Sequence, residues 1–141
     1  RHYKRVNDYV FCWDSVVVDP LVMPIGAMSN AGKQVFHLVR RLRDELGVNT
    51  TCGASNVSFG LPNRHVITGT FLSMAISAGM TSAIMNPLHA EVKSAVMGAD
   101  VLVGNDSNCG AWIAQHRDPQ AAGSARSGRR NRRRGGSGGA T

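Results

Sequence analysis

The sequence predicts an α/β fold with parallel strands, because short apolar runs that end in turn residues alternate with stretches of helical period. The apolar runs lie in residues 15–26, 48–55 and 82–86, and proline or glycine follows each of them closely. A helix-like stretch comes after every run. This order, strand–helix repeated three times, predicts right-handed crossovers between parallel strands.

The predicted helices are defined by their apolar spacing. Residues 31–47 are expected to be helical, with Gly47 as the residue that ends the helix and with a buried stripe of Val35, Leu38, Val39, Leu42 and Leu46. Residues 65–79 are expected to form a second helix that ends at Gly79 and buries Ile67, Phe71, Met74, Ala75 and Ala78. Residues 89–99 predict a third helix, and residues 109–117 a short helical piece.

Composition limits the classes of protein that fit. The chain of 141 residues has 43% hydrophobic residues, enough for one packed domain. Its net charge of +7 is misleading, since six of the sixteen Lys and Arg residues lie in the tail and the remaining body is nearly neutral. Three widely separated cysteines, Cys12, Cys52 and Cys109, favour a reducing cytoplasm over a disulfide scaffold or a zinc site.

The chain is therefore divided into three parts. Residues 1–14 are an atypical N-terminal segment, residues 15–117 are the α/β domain, and residues 118–141 are a Gly/Arg-rich tail that we expect to be disordered. Six tail arginines without aromatic residues predict at most weak, salt-sensitive binding of polyanions. A physiological role in nucleic-acid binding is not expected.

Polar side chains stand where the predicted strands end. Asp19, Asn56 and Asn86 each follow one of the three strands. Because ligands bind at the carboxyl ends of parallel strands, these residues predict a binding site at one rim of the sheet.

The most specific stretch is TTCGASNVSFGLPNR, at residues 50–64. Together with VVVDPLVMPIG and TFLSMAISAGMTSAIMNPL, it resembles the pterin-binding domain of methyltetrahydrofolate:corrinoid methyltransferases, whose fold is shared with dihydropteroate synthase. The resemblance runs from about Ser15 to Arg117. It implies the C-terminal portion, about three βα units, of a (β/α)8 TIM barrel. Thr68 departs from the pattern, since the family tends to have Asn before the TFL run.

What the resemblance implies about function is a methyl transfer. The N5-methyl of methyltetrahydrofolate would pass to the cobalt of a corrinoid, a cobalamin-type cofactor carried by a partner protein or domain. Asn56 would be the catalytic donor at N5, and Asp19 would accept hydrogen bonds from the pyrimidine edge of the pterin. Ser58, Arg64 and Asn86 complete the implied substrate-binding set. The first five barrel units are absent from this sequence, so the chain would be a fragment, inactive alone and a homodimer when full length.

Each of these residues also has a purely structural interpretation. Asn56 often bonds its own loop backbone, Asp19–Pro20 is a common turn, and Asn86–Pro87 is another. Arg64 fits a solvated surface charge. Two other functions also remain open: dihydropteroate synthase, and a non-catalytic pterin-binding fragment with an RNA-associating tail.

The other reactive side chains predict no further chemistry. Scattered histidines without ligand spacing, at positions 37, 65, 89 and 116, predict no bound metal. Met23, Met74, Met80 and Met85 are expected to fill the core. Cys52 is expected to be a buried, unreactive strand residue.

Overall fold

A short parallel sheet organises the chain. The computed structural model describes residues 13–117, which divide into one unit ending at Asn105 and a second that begins at Asp106. Strands β1 (Val17–Val18) and β2 (Asn49–Thr50) pair in parallel, with Val17 opposite Asn49. The amide of Thr51 donates to the carbonyl of Val18 at 3.0 Å and extends this ladder by one bond.

A third extended segment follows on the other side of β2, but it forms a single parallel bridge between Gly53 and Ile84. The amide of Ile84 donates to the carbonyl of Cys52 at 2.8 Å, and that of Ser82 to the carbonyl of Thr50 at 3.0 Å. The predicted third strand at residues 82–86 is thus reduced to one bridge, and hydroxyl groups of Thr81 and Ser82 add further bonds to the Thr50 carbonyl.

Three helices cover the sheet. Helix α1 is Ala31–Arg41 and continues as a π-helical turn, Leu42–Leu46, while α2 is Arg64–Ala78 and α3 is Ala90–Val103. Gly47 (φ 64°) and Gly79 (φ 104°) end the first two in the left-handed conformation, which confirms both predicted helix ends. Helix α3 passes the predicted end at residue 99 and runs on to Val103.

The core lies where α2 packs against α1 and α3. The rings of Phe36 and Phe71 stack there with centroids 5.5 Å apart. The buried residues around them include Val35, Val39, Cys52, Val57, Leu72, Ala75, Ala78, Met80 and Val92. These side chains come from all three helices and from the loop after β2, and Val22 adds the loop after β1, so one core serves the whole first unit.

Two helix residues that were predicted to lie in the core are exposed, because the buried face of each helix is rotated from the predicted face. Leu38 is 37% exposed and Met74 is 51% exposed, while Phe36 and Leu72 occupy the core instead. Met23 is also exposed, whereas Met80 is buried as predicted. Helix α2 is apolar on several sides, and hydrophobic period alone cannot choose among them.

The second unit is small. A 3₁₀ turn, Ser107–Cys109, leads into helix α4, Gly110–His116, which agrees with the predicted helical piece. The carboxylate of Asp106 accepts hydrogen bonds from the amides of Ala111 (3.0 Å) and Trp112 (2.9 Å). These bonds lower the pKa of Asp106, because they stabilise its charged form.

The predictions for the N-terminal segment and the tail lie almost wholly outside the described residues. Within residues 13–117, no helix is long and apolar enough to cross a membrane.

Gly69 provides a test of the contact between α2 and α3. A Cβ added at Gly69 would lie 2.9 Å from Cβ of Ala95, closer than such atoms approach. Gly69→Ala should therefore destabilise the protein by about 1–3 kcal/mol, although alanine normally favours a helix interior over glycine. Chemical denaturation followed by circular dichroism measures the change.

The matched control is Gly32→Ala in α1, where the added Cβ would make ordinary contacts of 3.7 Å with Phe36. That variant should keep the parent stability or gain up to about 1 kcal/mol, because alanine favours the helix and meets no crowding there. Adding Ala95→Gly to Gly69→Ala should recover part of the loss. Equal stability of Gly69→Ala and the parent would show that the helices are not in close contact at this point.

Candidate functional site

The loop after β2 presents Asn56 to solvent. Residues Ala54–Ser58 form a 3₁₀ turn in which Ala54, Val57 and Ser58 are buried, while Ser55 and Asn56 are exposed. Apolar and small residues thus fix the turn to the core from below. The same turn places the amide of Asn56 on its outer face.

The side-chain amide of Asn56 has no hydrogen-bond partner among residues 13–117. Its backbone is used, since its amide donates to the carbonyl of Gly53 at 3.2 Å and its carbonyl accepts from the amide of Phe59 at 3.1 Å. A Cβ at Gly53 would lie 3.2 Å from Nδ2 of Asn56, so a side chain there would crowd the amide. The donor and acceptor atoms of the Asn56 side chain therefore make no hydrogen bond within their own loop.

Ser58 and Arg64 hold the loop against α2. The buried hydroxyl of Ser58 lies 2.9 Å from the hydroxyl of Thr68. Arg64 donates from Nε to Ser58 Oγ at 3.3 Å and from Nη2 to the carbonyl of Ser55 at 2.9 Å. Its guanidinium carbon lies 5.5 Å from the ring centroid of Phe59. The structure places both residues beside Asn56, with their hydrogen bonds directed into the loop.

Thr68 is a residue whose contribution the sequence did not reveal. Its hydroxyl reaches back from α2 to the buried Ser58. Thr68 follows Arg64 by four positions, so the two side chains lie on the same face of α2. From this spacing the sequence could have indicated that Thr68 also contacts the loop.

Asp19 lies in the neighbouring loop, after β1. Its Oδ1 accepts a hydrogen bond from the amide of Leu21 at 2.8 Å, and its Oδ2 has none from residues 13–117. Leu21 has φ 58°, a conformation that is costly for a branched residue. The amide of Ile25 donates to the carbonyl of Val57 at 2.9 Å, so the loops that carry Asp19 and Asn56 are joined directly.

Asn86 forms a turn of its own at the third rim position. Its Oδ1 accepts from the amide of Leu88 at 3.0 Å, and its Nδ2 lies 3.3 Å from Nε2 of His89. His89 in turn meets His65, with ring centroids 3.8 Å apart. The histidines are thus not all scattered, although residues 13–117 contain no cluster of three or more His, Cys, Asp or Glu suited to a metal.

Cys52 lies beneath the site in β2's continuation. It is fully buried, and its Sγ is 3.4 Å from Sδ of Met80. Burial, and secondarily the negative charge of Asp19, raise the pKa of its thiol to about 11. The prediction of a buried cysteine is confirmed.

Comparison with known proteins identifies the class. Residues 2–86 match the family described as "Pterin binding enzyme", and this chain belongs to that family. The match includes β1, β2 and the loop that presents Asn56, and it ends at Asn86. The family has the TIM-barrel fold, so the mixed α/β structure with parallel strands is that of part of such a barrel.

The chain is also similar to a curated protein whose name states a reaction. The chain is 31% identical over 93 residues to the methylcorrinoid:tetrahydrofolate methyltransferase of Eubacterium limosum. The matched region is 65% of this chain and 34% of that relative, so the chain spans about a third of the relative's length. The resemblance noted from the sequence motifs is confirmed.

Removing the Thr68 hydroxyl tests how the loop is held. Thr68→Val should cost about 1 kcal/mol, because the buried Ser58 hydroxyl loses its shortest hydrogen bond while the side-chain volume is kept. Thr70→Val is the matched control, since the Thr70 hydroxyl bonds only the carbonyl of Val66 and is exposed. The two unfolding free energies should differ, and equal values would mean that the Ser58–Thr68 bond does not stabilise the fold.

The Cys52 thiol gives a pH-dependent test. Its folded pKa of about 11 exceeds the ordinary value of 9.0, so the stability that it contributes is complete below about pH 9 and is lost as the pH rises toward 11. At about pH 8 the thiolate is scarce and inaccessible, and iodoacetamide should leave Cys52 unmodified in the folded protein. Mass mapping should find it modified after denaturation. Rapid native modification at pH 8 would contradict this account.

Proposed function

We propose that the chain carries part of a pterin site at which a methyl group passes between N5 of a tetrahydrofolate and a corrinoid. The observation that carries the proposal is the exposed Asn56 amide, which makes no side-chain hydrogen bond to residues 13–117. The turn beneath it is buried and bonded to α2 through Ser58. Membership of the pterin-binding family supplies the ligand class.

Asn56 suits the chemistry at N5. A tertiary amine is a poor leaving group, and its nitrogen gains electron density as the methyl departs. A positioned hydrogen-bond donor stabilises this change most in the transition state. An amide both donates and accepts, and neither role depends on pH. The same side chain therefore serves transfer in either direction.

Asp19 suits the opposite edge of the ring. An aminopyrimidinone presents adjacent N–H donors, and a carboxylate accepts two such bonds side by side. Oδ2 has no partner in the described part of the chain, and Oδ1 retains a second lone pair beyond its bond to Leu21. Asp19 would thus fix the orientation of the pterin, while Asn56 acts at the reacting nitrogen.

The proposed function leaves open the direction in which the methyl group is transferred. The name of the Eubacterium limosum relative places the methyl on the corrinoid at the start, with tetrahydrofolate as the acceptor. The sequence motifs of this chain resemble those of enzymes that transfer the methyl group from methyltetrahydrofolate to cobalt. The corrinoid would supply the cobalt that gives up or takes the methyl, and it would be held by a partner protein or domain.

The rest of the barrel is part of the proposal. The described residues provide two paired strands and a third bridged segment, each followed by a helix, which we interpret as the last three βα units. The chain covers 34% of the relative, and the other units would complete the pterin pocket. Alone, the chain should not transfer methyl groups.

Asn56→Ala tests the mechanism in a barrel completed by joining this chain to the N-terminal units of a relative. The transfer rate constant should fall on the order of 10²- to 10³-fold, because one positioned donor is lost from the transition state. Pterin affinity should fall much less, since Asp19 still holds the ring. Asp19→Ala should instead weaken binding more than transfer.

Stopped-flow transfer rates and pterin titrations measure both effects. Asn105→Ala, which removes an exposed amide that bonds Asp100 at the far end of α3, is the matched control and should keep both values. A near-parental rate for Asn56→Ala would overturn the mechanism. If neither the parent barrel nor the Asn105→Ala control binds pterin, the proposed function itself is wrong.

A further inference from the structure

A cavity of about 570 Å³ opens between α2 and α3 toward the C-terminal ends of both helices. We call it the helix-end cavity. Its lining comes from the second half of each helix, from residues 79–85 between them, and from Arg43 in the π-helical turn that continues α1. None of the described residues that line it belongs to the loops that carry Asp19 and Asn56. Its volume falls within the range of about 300–1,000 Å³ that is typical of small-molecule sites.

The most buried part of the lining is apolar. Leu72 and Met80 are buried, and Ile76 and Val96 are partly buried. Water finds no hydrogen-bond partners on such side chains, whereas an apolar group is stabilised when it leaves water to contact them. The occupant that suits this part of the cavity therefore has an aliphatic or aromatic body.

Arg43 supplies a positive charge to the helix-end cavity. Its side chain crosses the end of α2, where a Cβ added at Gly79 would lie 2.6 Å from both Cδ and Nη1 of Arg43. The missing side chain at Gly79 thus leaves room for the guanidinium. Nε of Arg43 donates to Oδ1 of Asp44 at 2.8 Å, while Nη1 and Nη2 have no hydrogen-bond partner in residues 13–117. Two such donors in one plane match the two oxygens of a carboxylate.

Asp100 supplies a negative charge from α3. Its Oδ1 accepts a hydrogen bond from Nδ2 of Asn105 at 3.0 Å, and its Oδ2 has no partner within the described part of the chain. The carbonyl ends of α2 and α3 also lie at this cavity, and the helix dipoles add partial negative charge there. An ammonium group is therefore favoured on this side.

We propose that the helix-end cavity binds a free apolar α-amino acid. Such a molecule carries one charge of each sign, as the lining does, and it adds an apolar side chain. Its carboxylate would pair with Arg43 and its ammonium group with Asp100, while its side chain would contact Leu72 and Met80. A fatty acid would leave Asp100 without a partner, and an alkylamine would leave Arg43 without one, so the charges of the lining favour the amino acid over both.

Bound amino acid would stabilise the junction of the three extended segments. Thr81 and Ser82 line the helix-end cavity, and their hydroxyl groups bond the carbonyl of Thr50. A ligand that binds only the folded chain stabilises it by mass action, so the melting temperature should rise with the concentration of the amino acid. The site is separate from the proposed pterin site and does not depend on it.

The experiment uses the whole 141-residue chain with ¹³C-labelled methionine methyl groups and L-leucine as the probe. Leucine should shift the methyl signal of Met80, which lines the cavity, and leave that of Met23, which does not, unchanged. Glycine carries both charges without the apolar body, so it should bind at least about tenfold more weakly. 4-Methylpentanoate and 3-methylbutylamine each lack one charge of leucine and should also lose about tenfold.

Variants assign each charge of the probe to its partner. Arg43→Gln should weaken binding of leucine and of 4-methylpentanoate about tenfold, and it should leave 3-methylbutylamine unaffected. Asp100→Asn keeps an acceptor for Asn105 and should show the opposite selectivity between the two analogues. Arg40→Gln and Glu91→Gln are the matched controls, since both residues are exposed and lie outside the lining. Circular dichroism verifies that each variant is folded.

Several outcomes would overturn the proposal. These are an unshifted Met80 signal at millimolar leucine, equal affinities for leucine and glycine, or equal losses in Arg43→Gln and Arg40→Gln. If the chain is a dimer that Arg43→Gln and Asp100→Asn convert to monomers, a second copy covers the cavity and the proposal is wrong. Asn56→Ala should bind leucine as the parent does, so failure of the pterin site would leave this inference intact.

Discussion

The buried backbone of Thr50 is the constraint on which the rest of the structure depends. Its carbonyl accepts hydrogen bonds at 3.0 Å from the amide and hydroxyl of Ser82 and from the hydroxyl of Thr81. Its own amide donates to the Thr81 hydroxyl at 2.9 Å. Since β2 also pairs with β1, Thr50 connects the three extended segments. The rim loops keep their relative positions because the segments beneath them are joined there.

In the proposed site above this sheet, some side chains hold the loop in place and another faces solvent. Ser58, Thr68 and Arg64 are joined by hydrogen bonds, so they fix the 3₁₀ turn to α2. Asn56 stands on the same turn with its amide unused by the described chain. A site needs this arrangement because a donor acts on a transition state only if its position is already set before the ligand arrives.

Much of the fold could be predicted from local sequence patterns. The alternation of apolar runs and helical stretches predicted parallel strands, and Gly47 and Gly79 ended their helices as expected, because a left-handed residue after a helix is a local requirement. The loop in residues 50–64 was also recognisable locally, because small and polar residues follow a buried strand there.

Features that depend on distant contacts could not be predicted in this way. The exposure of Leu38 and Met74 follows from how α1 and α2 rotate against each other, which period does not determine. The third strand was predicted too long, since the segment makes only a few backbone bonds to the residues after β2 and forms one bridge, between Gly53 and Ile84. His65 and His89 are 24 positions apart, and only the packing of α2 against α3 brings their rings together.

The turn at Asp19 has a consequence for the kind of molecule that can bind there. Its Oδ1 accepts from the amide of Leu21, whose backbone is left-handed, while Oδ2 has no partner in residues 13–117. In the proposed site, a ring with two adjacent donors would use Oδ2 and the second lone pair of Oδ1, and the turn would stay intact. The bond that closes the turn would thus also orient the carboxylate before a ligand arrives.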